Sequence, residues 1–177
     1  MSLPFLPPHD MTLGMIKAHA MQRGHLGLIL ADIETRYVVQ FLHILSLTRA
    51  EAEAFYPERR ADPYVIESLF LSPVCFFVVS PHPFVGYSGH IVEDFRGFVG
   101  RARPDAMERT RYPEKETHGI SRDDNSRHCK NRYRPGTLRH KYGDREPYNA
   151  VHSSADAEDF AREYGLLREM IARRFAS

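Results

Sequence analysis

The sequence predicts an α+β sandwich, in which helices pack on one face of a small, four-stranded, largely antiparallel sheet. Strand-like and helix-like segments follow one another in the order β-α-β-β-α-β, which is typical of such a sandwich. One run, PVCFFVVS at residues 73–80, is apolar almost throughout, and therefore predicts a central strand that is buried on both faces. The chain has 177 residues, a length that suits one domain with a real core.

The first part of the chain predicts a strand, a helix and a second strand. Residues 12–17, TLGMIK, form a short apolar run of strand length. Residues 25–37 carry apolar side chains at helical spacing and predict a helix. Residues 38–47 are rich in β-branched and aliphatic side chains, and they predict a strand.

Three helices are predicted around the central strand. Thr48 is a hydroxyl N-cap candidate, and Glu51, three residues later, completes the pattern of a capping box. Residues 63–71 predict a short helix with a proline in its first turn. Residues 90–100 carry apolar side chains on one helical face and predict the helix that follows the central strand.

The end of the chain predicts a last strand and a last helix. Residues 149–151 form a brief strand-like step. From Asp156 onward, apolar side chains lie on one helical stripe. With these two elements the predicted fold is a ferredoxin-like βαββαβ sandwich.

Residues 1–177 are predicted to be a single domain with two irregular parts. Residues 1–10 are rich in proline and predict a flexible leader. Residues 104–133 are crowded with charge and poor in aliphatic side chains, so they predict a long loop or insertion. Whether this insertion is ordered is left open by the sequence.

Composition argues against several classes of function. The net charge is +1, and acidic side chains are interspersed among the arginines of the insertion, so a nucleic-acid partner is not expected. No apolar run approaches the roughly 18 residues that a membrane span needs. Cys75 and Cys129 are too few for a disulfide framework or a zinc site, and a cytoplasmic location is expected.

Residues 134–156, RPGTLRHKYGDREPYNAVHSSAD, place a histidine between a strand-like step and a helix start, with arginines upstream. Basic side chains bind phosphoryl groups, and the candidates are Lys17, Arg96, Arg134 and Arg139. A neutral imidazole is nucleophilic and can carry phosphate covalently when a carboxylate or carbonyl fixes its tautomer. The residues alone leave His152 open as an ordinary histidine or as a phosphate carrier.

Four segments resemble the nucleoside diphosphate kinase family over nearly the whole chain after the leader. The segment TLGMIKAHAMQRGHLG is similar to the family's opening strand and first helix, and AFYPERRADPY to its tyrosine-containing segment. The segment HIVEDFRGFVGRARP is similar to the helix that bears a phosphate-binding arginine. RPGTLR followed by NAVHSS matches the hallmark N-x-x-H-x-S run, both in its internal spacing and in its distance from RPGTLR.

The resemblance implies a catalytic group around one histidine. His152 corresponds to the histidine that is phosphorylated, and Glu163 to the helical glutamate that fixes its ring. Ser154 corresponds to the serine beside them, and Tyr56 to a tyrosine packed close to the histidine. Lys17 corresponds to a lysine that reaches both the ribose hydroxyl and the transferred phosphate.

The resemblance also implies a nucleotide site. Arg96 and Arg139 correspond to the pair on the nucleotide phosphates, and Asn149 to the asparagine on the ribose. Tyr64 takes the place of a phenylalanine that stacks on the base, and a phenol ring can still stack.

The chain departs from the family pattern at several positions. Ala18 and His19 replace the usual Pro-Asp after the lysine, and Ala102 stands where a threonine gives a hydroxyl to phosphate. Ala155 replaces the aspartate that usually follows the His-x-Ser run, and Asp156 is expected to cap the last helix in its place.

The resemblance implies a ping-pong phosphotransferase that works through a phosphohistidine. The expected ligands are ATP, GTP, ADP and GDP, with Mg²⁺ bound through their phosphates rather than by protein side chains. Family members are built from dimers, so a homo-oligomer is expected. The departures leave a second hypothesis open, a catalytically weakened nucleotide-binding or assembly module of the same fold.

Overall fold

The computed structural model describes residues 10–85, 89–100, 133–144 and 147–176. The predictions for residues 1–9 of the leader, for nearly all of the insertion and for Ala102 lie outside the described residues.

Four antiparallel strands form one sheet, in the order β2-β3-β1-β4. The strands are β1 (Thr12–Ile16), β2 (Tyr37–Leu45), β3 (Val74–Pro81) and β4 (Val151–Ser153). The predicted α+β sandwich is therefore confirmed. The predicted central strand is β3, which lies between β2 and β1 and is buried from Val74 to Val79.

The helices connect and cover these strands. They are α1 (Ala18–Gln22), α2 (Leu26–Glu34), α3 (Arg49–Phe55), α4 (Pro63–Phe70), α5 (Ile91–Val99), α6 (Leu138–Tyr142) and α7 (Ala157–Phe175), with a 3₁₀ turn at Pro57–Arg59. The predicted capping box begins α3, because Thr48 Oγ1 accepts from the Glu51 N–H (3.2 Å) and Glu51 Oε2 accepts from the Thr48 N–H (2.9 Å). The described helices include none that is long and apolar enough to cross a membrane.

Several predicted boundaries were wrong. The helix predicted over 25–37 ends at Glu34, and Tyr37 already belongs to β2. The last strand was predicted over 149–151, but it runs from Val151 to Ser153, because a tight turn occupies the preceding residues. Helices α1 and α6 were not predicted from periodicity, since each has only five residues; a first helix after the opening strand was implied only by the family resemblance.

Helices cover both faces of the sheet, which corrects the expectation of one covered face. On the first face, Leu13, Met15 and Phe76 pack against α3, α4 and α7. On the second face, Ile16 and Phe77 pack against α2, α5 and α6. A central strand that is apolar on both sides needs both layers, because either face would otherwise remain in water.

The sheet sets the direction of His152. In the β1–β4 ladder, His152 lies opposite Met15, and paired residues in a ladder point to the same face. Since Met15 belongs to the core beneath α3 and α7, the imidazole also points towards these two helices. Side chains from α3 and α7 can therefore reach it.

Candidate active site

His152 is bound through both ring nitrogens. Its Nε2 lies 3.0 Å and 3.1 Å from the two carboxylate oxygens of Glu163 on α7. Its Nδ1 lies 2.5 Å from the hydroxyl of Tyr56, at the end of α3. The rings of Phe55 and Tyr56 meet the imidazole edge to face, and His152 is 9% exposed. The ring is thus held in one orientation.

The different partners of the two ring nitrogens decide which nitrogen carries the hydrogen. Burial raises the pKa of Tyr56 far above its ordinary value, and the nearby charge of Glu163 raises it further. The phenol therefore stays protonated and can donate to Nδ1 of His152, whereas the Glu163 carboxylate opposite Nε2 can only accept. In a neutral ring, Nε2 then carries the hydrogen and donates it to Glu163. This arrangement leaves the nucleophilic lone pair on Nδ1.

Glu163 is itself fixed by neighbours. It is 2% exposed, and its Oε2 accepts a hydrogen bond from Ser154 Oγ at 2.7 Å. Ser154 is fully buried, and its backbone N–H donates to the Leu13 carbonyl of β1. Asp156 begins α7 by accepting from the Asp159 N–H at 2.9 Å, as predicted. The Glu163 carboxylate is therefore fixed by Ser154, which is bonded to β1, and Asp156 fixes the start of the helix that carries Glu163.

Lys17 places a positive charge beside the histidine. It follows β1 directly, and it is 3% exposed. Its Nζ donates to the Pro147 carbonyl at 3.1 Å and lies 5.7 Å from the centre of the Tyr56 ring. A buried ammonium with fixed partners is ready to bind an anion without further reorganisation.

Arg139 joins three parts of the site. From α6, its Nη1 donates to the Gly100 carbonyl at 2.6 Å, and its Nε donates to the Val151 carbonyl at 2.9 Å. Gly100 has φ 93°, and a Cβ there would lie 2.7 Å from the Thr137 hydroxyl, so glycine is required at the end of α5. The guanidinium is thereby fixed at the pocket in front of His152.

This pocket carries an excess of positive charge. Its described lining has five cationic side chains and three carboxylates: Lys17, Arg59, Arg96, Arg139 and Arg162, with Glu58, Asp159 and Glu163. An excess of fixed cations in a partly buried pocket favours a polyanion such as a chain of phosphates.

Asn149 offers an acceptor to a ligand. It is 3% exposed and lines the pocket, and its Oδ1 is buried with no hydrogen-bond partner among the described residues. A buried oxygen without a partner costs free energy, so its position is explained if a hydroxyl group of a ligand donates to it.

A strained turn leads into β4. The Val151 N–H donates to the Asn149 carbonyl at 2.8 Å, across Ala150 with φ 61°. A γ-turn with positive φ at its centre is rare and strained. Ala150 is the one non-glycine residue with positive φ in the part of the chain that the structure describes.

A model of the family "Nucleoside diphosphate kinase" matches residues 10–169. The chain belongs to the nucleoside diphosphate kinase family.

Known relatives extend this result. A nucleoside diphosphate kinase of Bdellovibrio bacteriovorus is 28% identical over 90% of this chain and 93% of its own length. Thioredoxin domain-containing protein 6 of Mus musculus is 28% identical over 88% of this chain but only 41% of its own length. A crystal structure of the nucleoside diphosphate kinase of Aquifex aeolicus has a TM-score of 0.62 at 22% identity, covers 89% of this chain and 94% of that chain, and so shows the same fold.

Most residues predicted from the resemblance to nucleoside diphosphate kinases meet around one pocket. The structure places these seven along its lining: Lys17, Tyr56, Arg96, Arg139, Asn149, His152 and Glu163. Ser154 lies directly behind Glu163.

Two predicted residues lie elsewhere. Tyr64 is 75% exposed in the first turn of α4 and does not line the pocket. Arg134, a phosphate candidate by composition, lines a separate depression with Arg36 and Phe98. Their sequence context shows residue type but not the direction of the side chain.

Sequence reasoning missed Arg59 and Arg162. Arg59 ends the 3₁₀ turn that follows Tyr56, and Arg162 precedes Glu163 on α7. Arg162 donates to Asp159 at 2.9 Å and to the carbonyl of Phe55 at 3.3 Å, so it joins α7 to the end of α3. Their nearness in sequence to Tyr56 and Glu163 was the signal that could have identified them.

Proposed function

We propose that this member of the nucleoside diphosphate kinase family is an active phosphotransferase. It moves the terminal phosphate of a nucleoside triphosphate to a nucleoside diphosphate through a phosphohistidine at His152. The observation that carries this proposal is the orientation of one ring, with Nδ1 facing the Tyr56 hydroxyl and Nε2 directed at Glu163, at the edge of a cationic pocket.

In the first half-reaction, the lone pair of Nδ1 attacks the terminal phosphorus. The new P–N bond forms as the bridging P–O bond breaks, and the electron pair of that bond stays on the departing diphosphate. Nε2 keeps its hydrogen throughout, and Glu163 offsets the positive charge that develops on the ring. The hydroxyl of Tyr56 leaves Nδ1 when the phosphoryl group arrives.

In the second half-reaction, the first nucleoside diphosphate has left and another occupies the same pocket. Its terminal oxygen attacks the phosphorus, the P–N bond breaks, and the electron pair returns to Nδ1. Atoms and charge therefore balance over the cycle, and the enzyme returns to its starting form.

The pocket residues bind the nucleotide in this proposal. Arg96, Arg139 and Lys17 offset the charge of the phosphates, and Asn149 accepts from a ribose hydroxyl. The acceptors ADP and GDP and the donors ATP and GTP share these groups, so selectivity between bases is low. Tyr64 would need to swing inward to stack on a base.

Mg²⁺ fits this site as a companion of the substrate. The described residues contain no group of three or more His, Cys, Asp or Glu side chains that could hold a metal ion. The pocket is instead rich in cations, so we propose that Mg²⁺ enters on the nucleotide phosphates. When bound there, it lowers the negative charge on the transferred group.

The direct test is to incubate the protein with γ-labelled ATP and Mg²⁺. We expect acid-labile label on the wild type and on His43→Ala, a control on β2, and none on His152→Ala. Label that persists in His152→Ala would disprove the mechanism. In a second step, GDP is added, and the label should pass from the protein to GDP and appear as labelled GTP.

The alternative is a nucleotide-binding or assembly module with weakened chemistry. It is motivated by Ala18, His19 and Ala102, which replace family residues, and by the exposed position of Tyr64. Binding of ADP without any phosphohistidine would favour this alternative over catalysis.

We also propose that the protein is a homo-oligomer built from dimers. β2 is an edge strand, and its outward-facing Leu42 and Ile44 are 39% and 46% exposed. An apolar edge strand is a template for pairing with another chain, and here the partner is a second copy.

A further inference from the structure

The segment that follows β1 binds both backbone polar groups of Ala150, the strained residue before β4. The Lys17 N–H donates to the Ala150 carbonyl at 2.9 Å. The Ala150 N–H donates to Nε2 of His19 at 3.2 Å. Backbone strain of this kind persists only where the surrounding structure over-determines the conformation, and these two hydrogen bonds supply that restraint.

The strained turn decides where two site residues lie. Asn149 precedes Ala150 and directs its side chain into the pocket, and His152 follows two residues later. If Ala150 relaxed to an ordinary conformation, the Asn149 side chain and the start of β4 would shift relative to Glu163. A displacement of about 1 Å in a catalytic group is enough to slow a reaction considerably.

We propose that His19 is a positioning residue, whose Nε2 holds the Ala150 N–H and so keeps Asn149 and His152 aligned for phosphoryl transfer. In this arrangement His19 supplies a neutral nitrogen acceptor to the Ala150 N–H. The proposal concerns the same site as the proposed function, and only its second measurement, the rate of phosphohistidine formation, rests on that function.

The surroundings of His19 keep the ring in the form that can accept. Burial lowers its pKa to about 4, and the positive charge of Lys17 lowers it further than Asp144 raises it. Arg23 also lowers the pKa, and it forms an ion pair with Asp144. Tyr148 packs edge to face on the ring at 5.3 Å. At neutral pH the imidazole is therefore uncharged, and the lone pair on its unprotonated nitrogen can accept the Ala150 N–H.

The test compares three variants of the full chain. His19→Ala removes the acceptor. His19→Gln places a neutral carbonyl oxygen at a similar reach and should restore it. His25→Ala is the matched control, because this nearby ring packs on Tyr142 of α6 instead of on the turn.

Two readouts are measured for each variant. The first is amide hydrogen exchange by NMR at Ala150, with the amide of Phe77 in β3 as the reporter of global opening. The second is the rate of phosphohistidine formation. For His19→Ala we expect exchange at Ala150 to rise by about tenfold relative to Phe77, as expected for one lost hydrogen bond, and phosphohistidine to form more slowly. We expect near wild-type values for His19→Gln and His25→Ala.

Three results would overturn the proposal. They are an equal rise in exchange at Ala150 and Phe77, unchanged exchange at Ala150, and faster exchange with an unchanged rate of transfer. If the wild type forms no phosphohistidine at all, the proposed function fails, and the exchange readout still decides whether His19 holds the turn. If His19→Ala does not fold, the imidazole ¹⁵N spectrum of the wild type decides, because a protonated Nε2 on His19 at neutral pH excludes the hydrogen bond.

Discussion

At His152, the two ring nitrogens have partners of different charge, and this difference gives each nitrogen a separate role. Nδ1 faces the hydroxyl of Tyr56, which moves aside for the phosphoryl group in the proposed mechanism. Nε2 faces a buried carboxylate, which in the proposed mechanism stays in place and offsets the charge that forms on the ring. The charge of the Glu163 carboxylate is the feature that a substitution can test.

Replacing Glu163 by glutamine should slow phosphohistidine formation by about 10- to 100-fold. The amide still accepts from Nε2, but the charge-assisted bond of about 1.5–3 kcal/mol becomes a neutral one. Rapid-quench measurement of label transfer from γ-labelled ATP gives the rate. Glu169→Gln is the control, because this exposed side chain lies on the same helix and undergoes the same chemical change. Equal rates in the wild type and Glu163→Gln would rule out the proposed role.

Among the elements, β2 is the edge strand of the sheet that carries exposed apolar side chains. Among the described strands it pairs with β3 alone, and a bulge between Val39 and Phe41 shifts its register. Val39 and Phe41 pack against the two cores, whereas Leu42 and Ile44 remain exposed. An apolar edge with unpaired backbone groups is stable in water when a second chain covers it.

Replacing Ile44 by lysine should therefore weaken the dimer. A like charge on both copies opposes pairing, and the lost apolar contact weakens it further. We expect sedimentation velocity to show a shift towards the monomer for Ile44→Lys, and no shift for Leu71→Lys, another exposed apolar position, which follows α4. A monomeric wild type, or an unchanged Ile44→Lys assembly, would contradict the dimer proposal.

For the whole molecule, several hydrogen bonds between elements make stability depend on pH. Asp32 of α2 accepts from Tyr142 and Lys141 of α6, and these bonds outweigh burial and lower the pKa of Asp32. Burial raises the pKa of Glu51, but the bonds that Glu51 accepts from Arg174 of α7 and from Thr48 together outweigh burial and lower this pKa. A lowered carboxyl pKa gives stability that is present at neutral pH and is lost in acid.

The free energy of unfolding should fall when the pH decreases from about 6.5 to about 4. The pKa of His19 lies near 4 in the folded protein and near 6.5 when unfolded, so the unfolded chain binds an additional proton within this range. The loss is on the order of 2–3 kcal/mol for this one group. Urea unfolding at pH 7 and pH 4.5 measures it.

The variant His19→Gln isolates the contribution of this histidine. It cannot titrate, so its stability should change less between pH 7 and pH 4.5 than that of the wild type. An equal change in both proteins would assign the acid sensitivity to other groups.

Predictability from sequence differed between local and distant features. The capping box at Thr48 and the N-cap at Asp156 were predicted correctly, because each is decided by residues within one turn of helix. The buried strand β3 was also correct, because its apolar length admits few alternatives. The partners of His152 were predicted through a family resemblance and not from the residues alone.

The sequence by itself determined the type and order of the main elements and the chemistry available to the chain, because capping, periodicity and residue type act over short distances. Only the tertiary structure decided that helices cover both faces, that Arg59 and Arg162 line the pocket, and that His19 reaches Ala150. His19 and Ala150 are 131 residues apart, and their contact depends on the pairing of β1 with β4. No local pattern encodes the direction of a side chain across such a distance, because packing of the whole sheet sets it.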